Sequence, residues 1–141
     1  MPLRNTTTGN VLEQMVLPAL SHGGYKCRTQ VNIGQRLGGG KHVIDVLAED
    51  RNGKLFLISL KWQQVSGTAE QKVPFEAICL AHAIASSEGR YYKAYLVLGG
   101  SGWRLREFFI GRGLQDYLRH NEQVHIVSLE DFIGMANRGQ L

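Results

Sequence analysis

The sequence contains few cysteines and prolines and no long hydrophobic run. Its two cysteines, Cys27 and Cys79, lie far apart in dissimilar segments, and two are too few for a disulfide scaffold or a cysteine cage around a metal. We expect both to be reduced core thiols of a cytoplasmic protein. No apolar run approaches the roughly 18 to 20 residues that a membrane-spanning helix needs. The polar start of the chain, residues 1–8, lacks the apolar segment of a secretory signal. We therefore predict a protein that is neither secreted nor inserted in a membrane.

The composition is that of an ordinary globular domain with a small positive charge. Hydrophobic residues make up 43% and charged residues 20% of the chain, which excludes a disordered protein. A length of 141 residues is typical of one domain with its own core, so we predict a single domain over residues 1–141. Lys and Arg number 16 against 12 Asp and Glu, giving a net charge of +4. This charge permits a polyanionic partner without requiring one.

Hydrophobic periodicity predicts elements in the order α-β-β-β-α-β-α-β-α. The first helix is predicted over residues 10–21, with Asn10 as its N-cap and Pro18 bending or ending it. The predicted strands are 25–33, 42–48, 55–62, 91–98 and 124–127, and the later helices are 68–85, 105–118 and one that a capping box opens at Ser128. Because an antiparallel meander comes first and a helix then crosses to another strand, we predict an α/β fold with a mixed central sheet flanked by helices.

One acid interrupts an otherwise apolar strand. Asp45 stands in the middle of residues 42–48, where a carboxylate costs several kcal/mol unless a cation, a metal or hydrogen bonds stabilise it. In the next strand, Ser59 and Lys61 are two positions apart and share a face. A three-residue loop with Gly53 in the left-handed conformation would pair position 45 with 59 and cluster these side chains. A two-residue loop would shift the register by one and separate them.

An aspartate beside a lysine on neighbouring strands suits metal-assisted hydrolysis of a phosphodiester. Asp45 would hold Mg²⁺, which takes oxygen ligands, polarises a phosphoryl oxygen and lowers the pKa of bound water. Lys61 would orient or deprotonate that water and neutralise the charge that develops on phosphorus. A buried ion pair between the two side chains, without any catalytic role, explains the same residues equally well.

On these residues the chain resembles the PD-(D/E)XK nuclease superfamily, which has the restriction-endonuclease-like fold. The matching residues are Glu13 in the first helix, Asp45 in the second strand, Ser59-Leu60-Lys61 after a short hairpin, and Gln63 before the next helix. With the order of elements, the resemblance covers most of residues 10–98. It implies an α-β-β-β-α-β core and a Mg²⁺-dependent DNA endonuclease, with Mn²⁺ able to substitute. It also implies that Asp45 and the carbonyl of Leu60 bind the metal and that Lys61 serves the attacking water.

The chain departs from the family pattern at Ser59, where the family usually has Glu or Asp. Some restriction enzymes of the superfamily with a non-acidic residue here supply the acid from the following helix, which in this chain offers Glu70 and Glu76. Helical periodicity aims Glu70 at the sheet and places Glu76 beside the apolar stripe, whereas the spacing from Lys61 fits Glu76 better. We favour Glu70 as the catalytic acid and metal ligand. The plainer interpretations are a first-turn acid favoured by the helix dipole and a solvated surface acid.

Two further polar residues are candidates for the site. Glu13 follows Asn10 by three residues, so it is either the return half of a capping box or, as in several nuclease families, an acid that reaches the metal. Gln63 lies on the same face as Lys61 if the strand continues. It is either a residue that binds a phosphate or a water, or a polar end to the strand.

The basic residues are scattered along the chain rather than gathered in one patch. Those that we expect to contact DNA are Lys26, Arg28, Arg36, Lys41, Arg104 and Arg112. The triple glycine between Arg36 and Lys41 suits a loop that orders on a phosphate backbone. A domain this small covers little DNA, so cutting both strands requires a homodimer or a higher homo-oligomer. Restriction, homing, repair and junction-resolving roles stay open, and the alternative is an inactive nuclease-fold DNA-binding module or an interaction subunit.

Overall fold

The computed structural model describes residues 6–141, which form a five-stranded sheet covered by helices on both faces. Most of the polar start on which the prediction of a non-secreted protein partly rests lies outside this range. The helices are α1 (Thr6–Val11), a π-helical segment (Leu12–Val16), α2 (Leu17–His22), α3 (Ala69–Ser86), α4 (Arg106–Ile110), a 3-10 turn (Leu114–Tyr117) and α5 (Leu129–Asn137). The strands are β1 (Lys26–Gln35), β2 (Lys41–Glu49), β3 (Leu55–Trp62), β4 (Tyr91–Gly99) and β5 (Val124–Ser128).

The strands follow the order β1-β2-β3-β4-β5 across the sheet. β1, β2 and β3 form antiparallel pairs, whereas β4 runs parallel to both β3 and β5. Consecutive residues of β3 pack in the two cores on opposite faces of the sheet. Leu57 packs beneath α3, and Ile58 packs beneath α2 and α5. This arrangement confirms the predicted α/β class and mixed sheet. No helix of the described residues is both long and apolar enough to cross a membrane.

The N-terminal helix is longer than predicted and contains a π-helical segment. The helix already includes Thr6, so Asn10 lies inside it and the prediction that Asn10 is its N-cap is wrong. Pro18 has no backbone N–H, and its ring clashes with the carbonyl group four residues earlier in a regular helix. The π-helical segment directly precedes α2, and Pro18 stands in the first turn of α2. The chain therefore stays helical through Pro18 and reaches His22.

The β2–β3 hairpin has the register that a three-residue loop predicts. The paired residues run from Glu49 with Leu55 to Val46 with Ile58. Gly53 adopts the left-handed conformation with φ of 83°, which few residues other than glycine adopt without strain. The Asp50 carboxylate accepts hydrogen bonds of 2.9 and 2.8 Å from two backbone N–H groups of the loop. These bonds fix the loop and, through it, the register of the whole hairpin.

The helix predicted over residues 105–118 is wrong in its second half. α4 ends at Ile110, Arg112 takes a left-handed φ of 64°, and only a 3-10 turn follows. Gly111 and Gly113 flank Arg112 and weaken the helix there, because glycine loses more backbone entropy than other residues. Ser128 caps the last helix at the predicted position, since its hydroxyl accepts a 3.1 Å hydrogen bond from the backbone N–H of Asp131.

Candidate active site

Asp45 lies where strands β2 and β3 separate. The ladder between them ends at Val46 and Ile58, one pair before the predicted contact of Asp45 with Ser59. Instead, Oδ2 of Asp45 accepts a 2.7 Å hydrogen bond from the backbone N–H of Leu60. Ile44 and Val46 pack in cores on opposite faces of the sheet, so the regular alternation of β2 breaks at Asp45. The half-buried carboxylate is therefore attached to the main chain of β3 and not to Ser59.

Glu13 and Asp45 line the same cavity, which has a volume of about 340 Å³. Glu13 is exposed in the π-helical segment. Because Asn10 is not an N-cap, the capping-box interpretation of Glu13 fails. The structure thus brings together an acid of the first helix and the acid of the second strand. Gln30 of β1 also lines this cavity, although nothing in the sequence distinguishes it from the other polar residues of that strand.

A second group forms around the carboxylate of Glu76, which is only 3% exposed. Oε2 accepts a 2.9 Å hydrogen bond from the Ser59 hydroxyl and lies 3.9 Å from Nζ of Lys61. Oε1 accepts a 2.7 Å hydrogen bond from Arg36. It also lies 3.3 Å from Nε2 of the buried His42, a close contact that is not aligned as a hydrogen bond. Sequence reasoning gave His42 no role, because a histidine at the start of an apolar strand carries no distinguishing signal.

The two acids that are hydrogen-bonded to β3, Asp45 and Glu76, have opposite electrostatic environments. Burial raises the pKa of Glu76, but the interactions with His42, Arg36 and Lys61 outweigh burial and lower its pKa to about 2. Burial also raises the pKa of Asp45, and the Leu60 N–H and the charge of Lys61 only partly oppose this, so its pKa stays above the ordinary value. The negative charge of Glu76 adds to the rise at Asp45. The two carboxylates therefore interact, and a cation between them would stabilise both.

Glu70 and Gln63 belong to a different cluster. The Glu70 carboxylate accepts hydrogen bonds from the backbone N–H groups of Arg104 and Leu105, both at 2.8 Å, and from Nε2 of Gln63 at 3.1 Å. The bond from the Arg104 N–H is the main reason that the pKa of Glu70 is lowered. Nε2 of Gln63 also donates to the carbonyl of Gly102 at 2.9 Å. Within residues 6–141, neither side chain makes a hydrogen bond or ion pair with the Asp45, Ser59 or Lys61 side chains, and both instead anchor the loop before α4.

The basic residues expected at DNA do not form one surface. Lys26 and Arg28 are exposed on β1, which is an edge strand, and Lys41 is exposed at the start of β2. Arg104 and Arg112 are exposed on either side of α4. The sixth residue, Arg36, is partly buried and is bound to Glu76. It therefore belongs to the acid cluster in this structure.

The donor groups at the strand separation suit a hard divalent cation. In the part of the chain that the structure describes, no three His, Cys, Asp or Glu side chains come together as a metal cage, so a structural zinc site does not fit. Mg²⁺ is commonly bound by one or two carboxylates and retains several of its waters. Asp45, Glu76 and the Leu60 carbonyl are oxygen donors of this kind. The residues present therefore fit a hydrated Mg²⁺ or Mn²⁺ ion.

The mixed sheet, the acid at the strand separation and the following helix define the restriction-endonuclease-like fold. A family model of the PD-(D/E)XK nuclease superfamily domain matches residues 4–140, and the chain belongs to this superfamily. No curated protein sequence matches the chain.

Two solved structures are similar in fold. One is the protein of unknown function AF1548, with 14% identity and a TM-score of 0.50 over 80% of this chain and 54% of that one. The other is a repair endonuclease from Pyrococcus abyssi, with 16% identity and a TM-score of 0.44 over 89% of this chain and 46% of that one. The chain thus spans about half the length of these proteins, and the likeness to the first concerns the fold alone.

Proposed function

We propose that this chain is a divalent-metal-dependent DNA endonuclease, and that Mg²⁺ is its cation with Mn²⁺ able to substitute. In this proposal residues 1–141 form one nuclease domain. Asp45 and the Leu60 carbonyl hold the cation, and Lys61 serves the attacking water. Glu76 of α3 supplies the carboxylate that the family motif has at the position of Ser59. This assignment replaces Glu70, which we favoured from the sequence, because Glu70 is hydrogen-bonded to the loop before α4.

The observation that carries the proposal is the contact between Ser59 and Glu76. The Ser59 hydroxyl donates to Oε2 of Glu76 at 2.9 Å, and Nζ of Lys61 is 3.9 Å from the same oxygen. A helix carboxylate therefore occupies the neighbourhood in which a Glu or Asp side chain at position 59 would lie. The motif has lost its acid in the sequence, but the structure keeps an acid beside the lysine.

Each residue has a role that follows from its position. A divalent cation bound at Asp45 would neutralise charge on the phosphoryl group and lower the pKa of a water. The Lys61 ammonium, which is one-quarter exposed, donates hydrogen bonds to a water and faces the charge that develops on phosphorus. Glu76 balances the Lys61 charge, and the Ser59 hydroxyl orients the Glu76 carboxylate. The Leu60 N–H holds one oxygen of Asp45 and leaves the other for the cation.

DNA is the substrate that the superfamily and the basic residues support. Exposed Lys26 and Arg28 lie on β1, exposed Lys41 lies on β2 with Asp45, and Arg104 and Arg112 add separate positive charge near α4. Contacts of this kind bind phosphates without selecting a sequence. One chain of this size covers few base pairs, so we propose a homodimer for cutting both strands.

A second function is favoured by the charges around Glu76. Arg36, His42 and Lys61 already satisfy that carboxylate without a cation, and Ser59 cannot replace a carboxylate ligand. An inactive DNA-binding module would keep such a network for stability alone. This alternative predicts no cleavage, and it predicts DNA binding that is the same with and without Mg²⁺.

The test is a cleavage assay on supercoiled plasmid, single-stranded and branched DNA with Mg²⁺, Mn²⁺ or a chelator. We expect metal-dependent cleavage that falls by at least about 100-fold in Asp45→Asn and Glu76→Gln. Glu49→Gln, which changes an exposed acid on the same strand as Asp45, is the matched control and should cleave like the parent chain. Loss of cleavage in Glu70→Gln with full activity in Glu76→Gln would return the role to Glu70. If the parent chain never cleaves DNA and the Ser59→Glu variant does, the protein is the inactive DNA-binding module.

A further inference from the structure

Gln30 has a strained backbone in the middle of a strand. Its φ is 51°, in the left-handed region that residues other than glycine, asparagine and aspartate rarely adopt. It stands at the centre of the ten-residue strand β1 and not in a turn. Strain of this kind persists only where the surrounding structure enforces it, and it is concentrated at functional sites.

The strain coincides with a gap in the pairing of β1 and β2. The ladder joins Thr29 with Val46 and Val31 with Ile44 in a single register, and the intervening pair of Gln30 and Asp45 is missing. On its other side, the ladder between β2 and β3 also stops before Asp45. Asp45 therefore has no ladder partner on either neighbouring strand, although β2 pairs with β1 on both sides of it.

The Gln30 side chain takes part in the surroundings of the Asp45 carboxylate. Gln30, Asp45 and Glu13 line the same cavity of about 340 Å³. Burial raises the pKa of Asp45, and the polar Gln30 side chain is among the groups that oppose this effect. An amide offers two N–H donors and one oxygen acceptor. The Leu60 N–H holds Oδ2 from β3 at 2.7 Å, and Gln30 lines the cavity beside the same carboxylate from β1.

We propose that Gln30 is a positioning residue of the nuclease site, whose strained backbone turns its amide toward Asp45 and fixes the carboxylate in the orientation that binds the cation. This inference rests on the function proposed for Asp45. It differs from a purely structural explanation, in which β1 bends here for packing reasons and the amide is incidental. In that case glycine, which adopts a positive φ without strain, would replace Gln30 with no loss at the site.

Two substitutions separate the strain from the amide. Gln30→Gly relieves the strain and removes the amide, whereas Gln30→Asn keeps an amide on a residue that tolerates the left-handed conformation. Gln35→Gly is the matched control, because Gln35 is exposed at the end of β1 and does not have a positive φ. Asp45→Asn reports whether the cation site itself exists.

The measurements are the melting temperature without metal and its rise during a titration with Mn²⁺. We expect Gln30→Gly to melt about 3 °C above the parent chain and to need at least about tenfold more Mn²⁺ for the same rise. Gln30→Asn should need less Mn²⁺ than Gln30→Gly, and Gln35→Gly should respond to Mn²⁺ like the parent chain.

Three outcomes would overturn the proposal. Parent-like Mn²⁺ dependence in Gln30→Gly, with the dependence lost in Asp45→Asn, would show that the site exists and does not use Gln30. A larger loss of melting temperature in Gln30→Gly than in Gln35→Gly, or a failure to fold, would show that the backbone is not strained. An identical Mn²⁺ response in the parent chain and Asp45→Asn would remove the metal site, and with it both this inference and the proposed function.

Discussion

The burial and charge of Glu76 predict that this residue makes the protein sensitive to acid. The substitution Glu76→Gln keeps the shape of the side chain and removes its charge. At neutral pH it leaves Arg36, His42 and Lys61 around a neutral amide. Removing one member of a buried ion pair typically costs about 3 to 5 kcal/mol. Because Arg36 and Lys61 are about one-quarter exposed, water screens part of this cost, and we expect a loss near the lower value.

The pH dependence follows from the pKa of Glu76, which falls from 4.5 to about 2 on folding. At about 1.4 kcal/mol per pKa unit, this shift contributes about 3 kcal/mol to stability. A lowered carboxyl pKa gives stability that is complete above the unfolded value of 4.5 and is lost as the pH falls through the folded value of about 2. The raised pKa of Asp45 acts with the opposite sign, because it lowers stability as the pH rises.

The assay is urea unfolding, followed by the fluorescence of Trp62 and Trp103, at several pH values from about 7 to about 2.5. We expect the difference in unfolding free energy between the parent chain and Glu76→Gln to be largest near neutral pH and to shrink steadily below about pH 4.5. The control is Glu130→Gln, because Glu130 is 77% exposed and its ion pair with Arg106 spans 3.7 Å. Such surface pairs contribute little. Parallel curves for the parent chain and Glu76→Gln at every pH would refute an ionised Glu76 network.

Three further predictions each concern one side chain. Lys61→Met should abolish cleavage and leave DNA affinity within a few-fold, because Lys61 acts on the transition state and many phosphate contacts supply affinity. Lys72→Met is the control. Weak DNA binding with intact turnover in Lys61→Met would contradict the catalytic role of Lys61. Arg36→Ala should destabilise the fold by about 1.5 kcal/mol at neutral pH through loss of the 2.7 Å bond to Glu76, and unchanged urea unfolding would contradict it. Burial raises the pKa of Cys27 from 9.0 to about 11, so iodoacetamide at pH 8 should modify it about 100-fold more slowly than a free thiol of the ordinary pKa, and equal rates would be the contrary result.

The sheet could be predicted from the sequence because local signals determine it. Strand alternation, the turn at Gly53 and the N-cap at Ser128 each act within a few residues. The error at the start of the first helix has a physical cause. Asn10 and Pro18 mark helix ends by local preference, but apolar residues such as Leu12 and Val16 are buried along the whole segment, and this packing keeps the chain helical through both signals.

The site was harder to predict because its geometry arises where the regular pattern fails. Strand alternation brings Ser59 and Lys61 to one face, and it would carry Asp45 to that face only if β2 stayed regular. Asp45 lacks a ladder partner on both sides, and on the β1 side this gap coincides with a positive φ at Gln30. Because Gln30 is not a glycine, the sequence gives no sign of this conformation.

The choice between Glu70 and Glu76 on α3 also depends on contacts that the sequence does not reveal. Both acids are buried on α3, although helical periodicity aims only Glu70 at the sheet and places Glu76 beside the apolar stripe. What separates them is which donors each one meets: two backbone N–H groups of a loop far along the chain for Glu70, and Ser59, Arg36 and Lys61 for Glu76. Those donors come from segments whose positions only the folded sheet defines. A buried acid therefore takes its role from the charge opposite it, and the lysine of the motif identifies Glu76 as the acid of the proposed site.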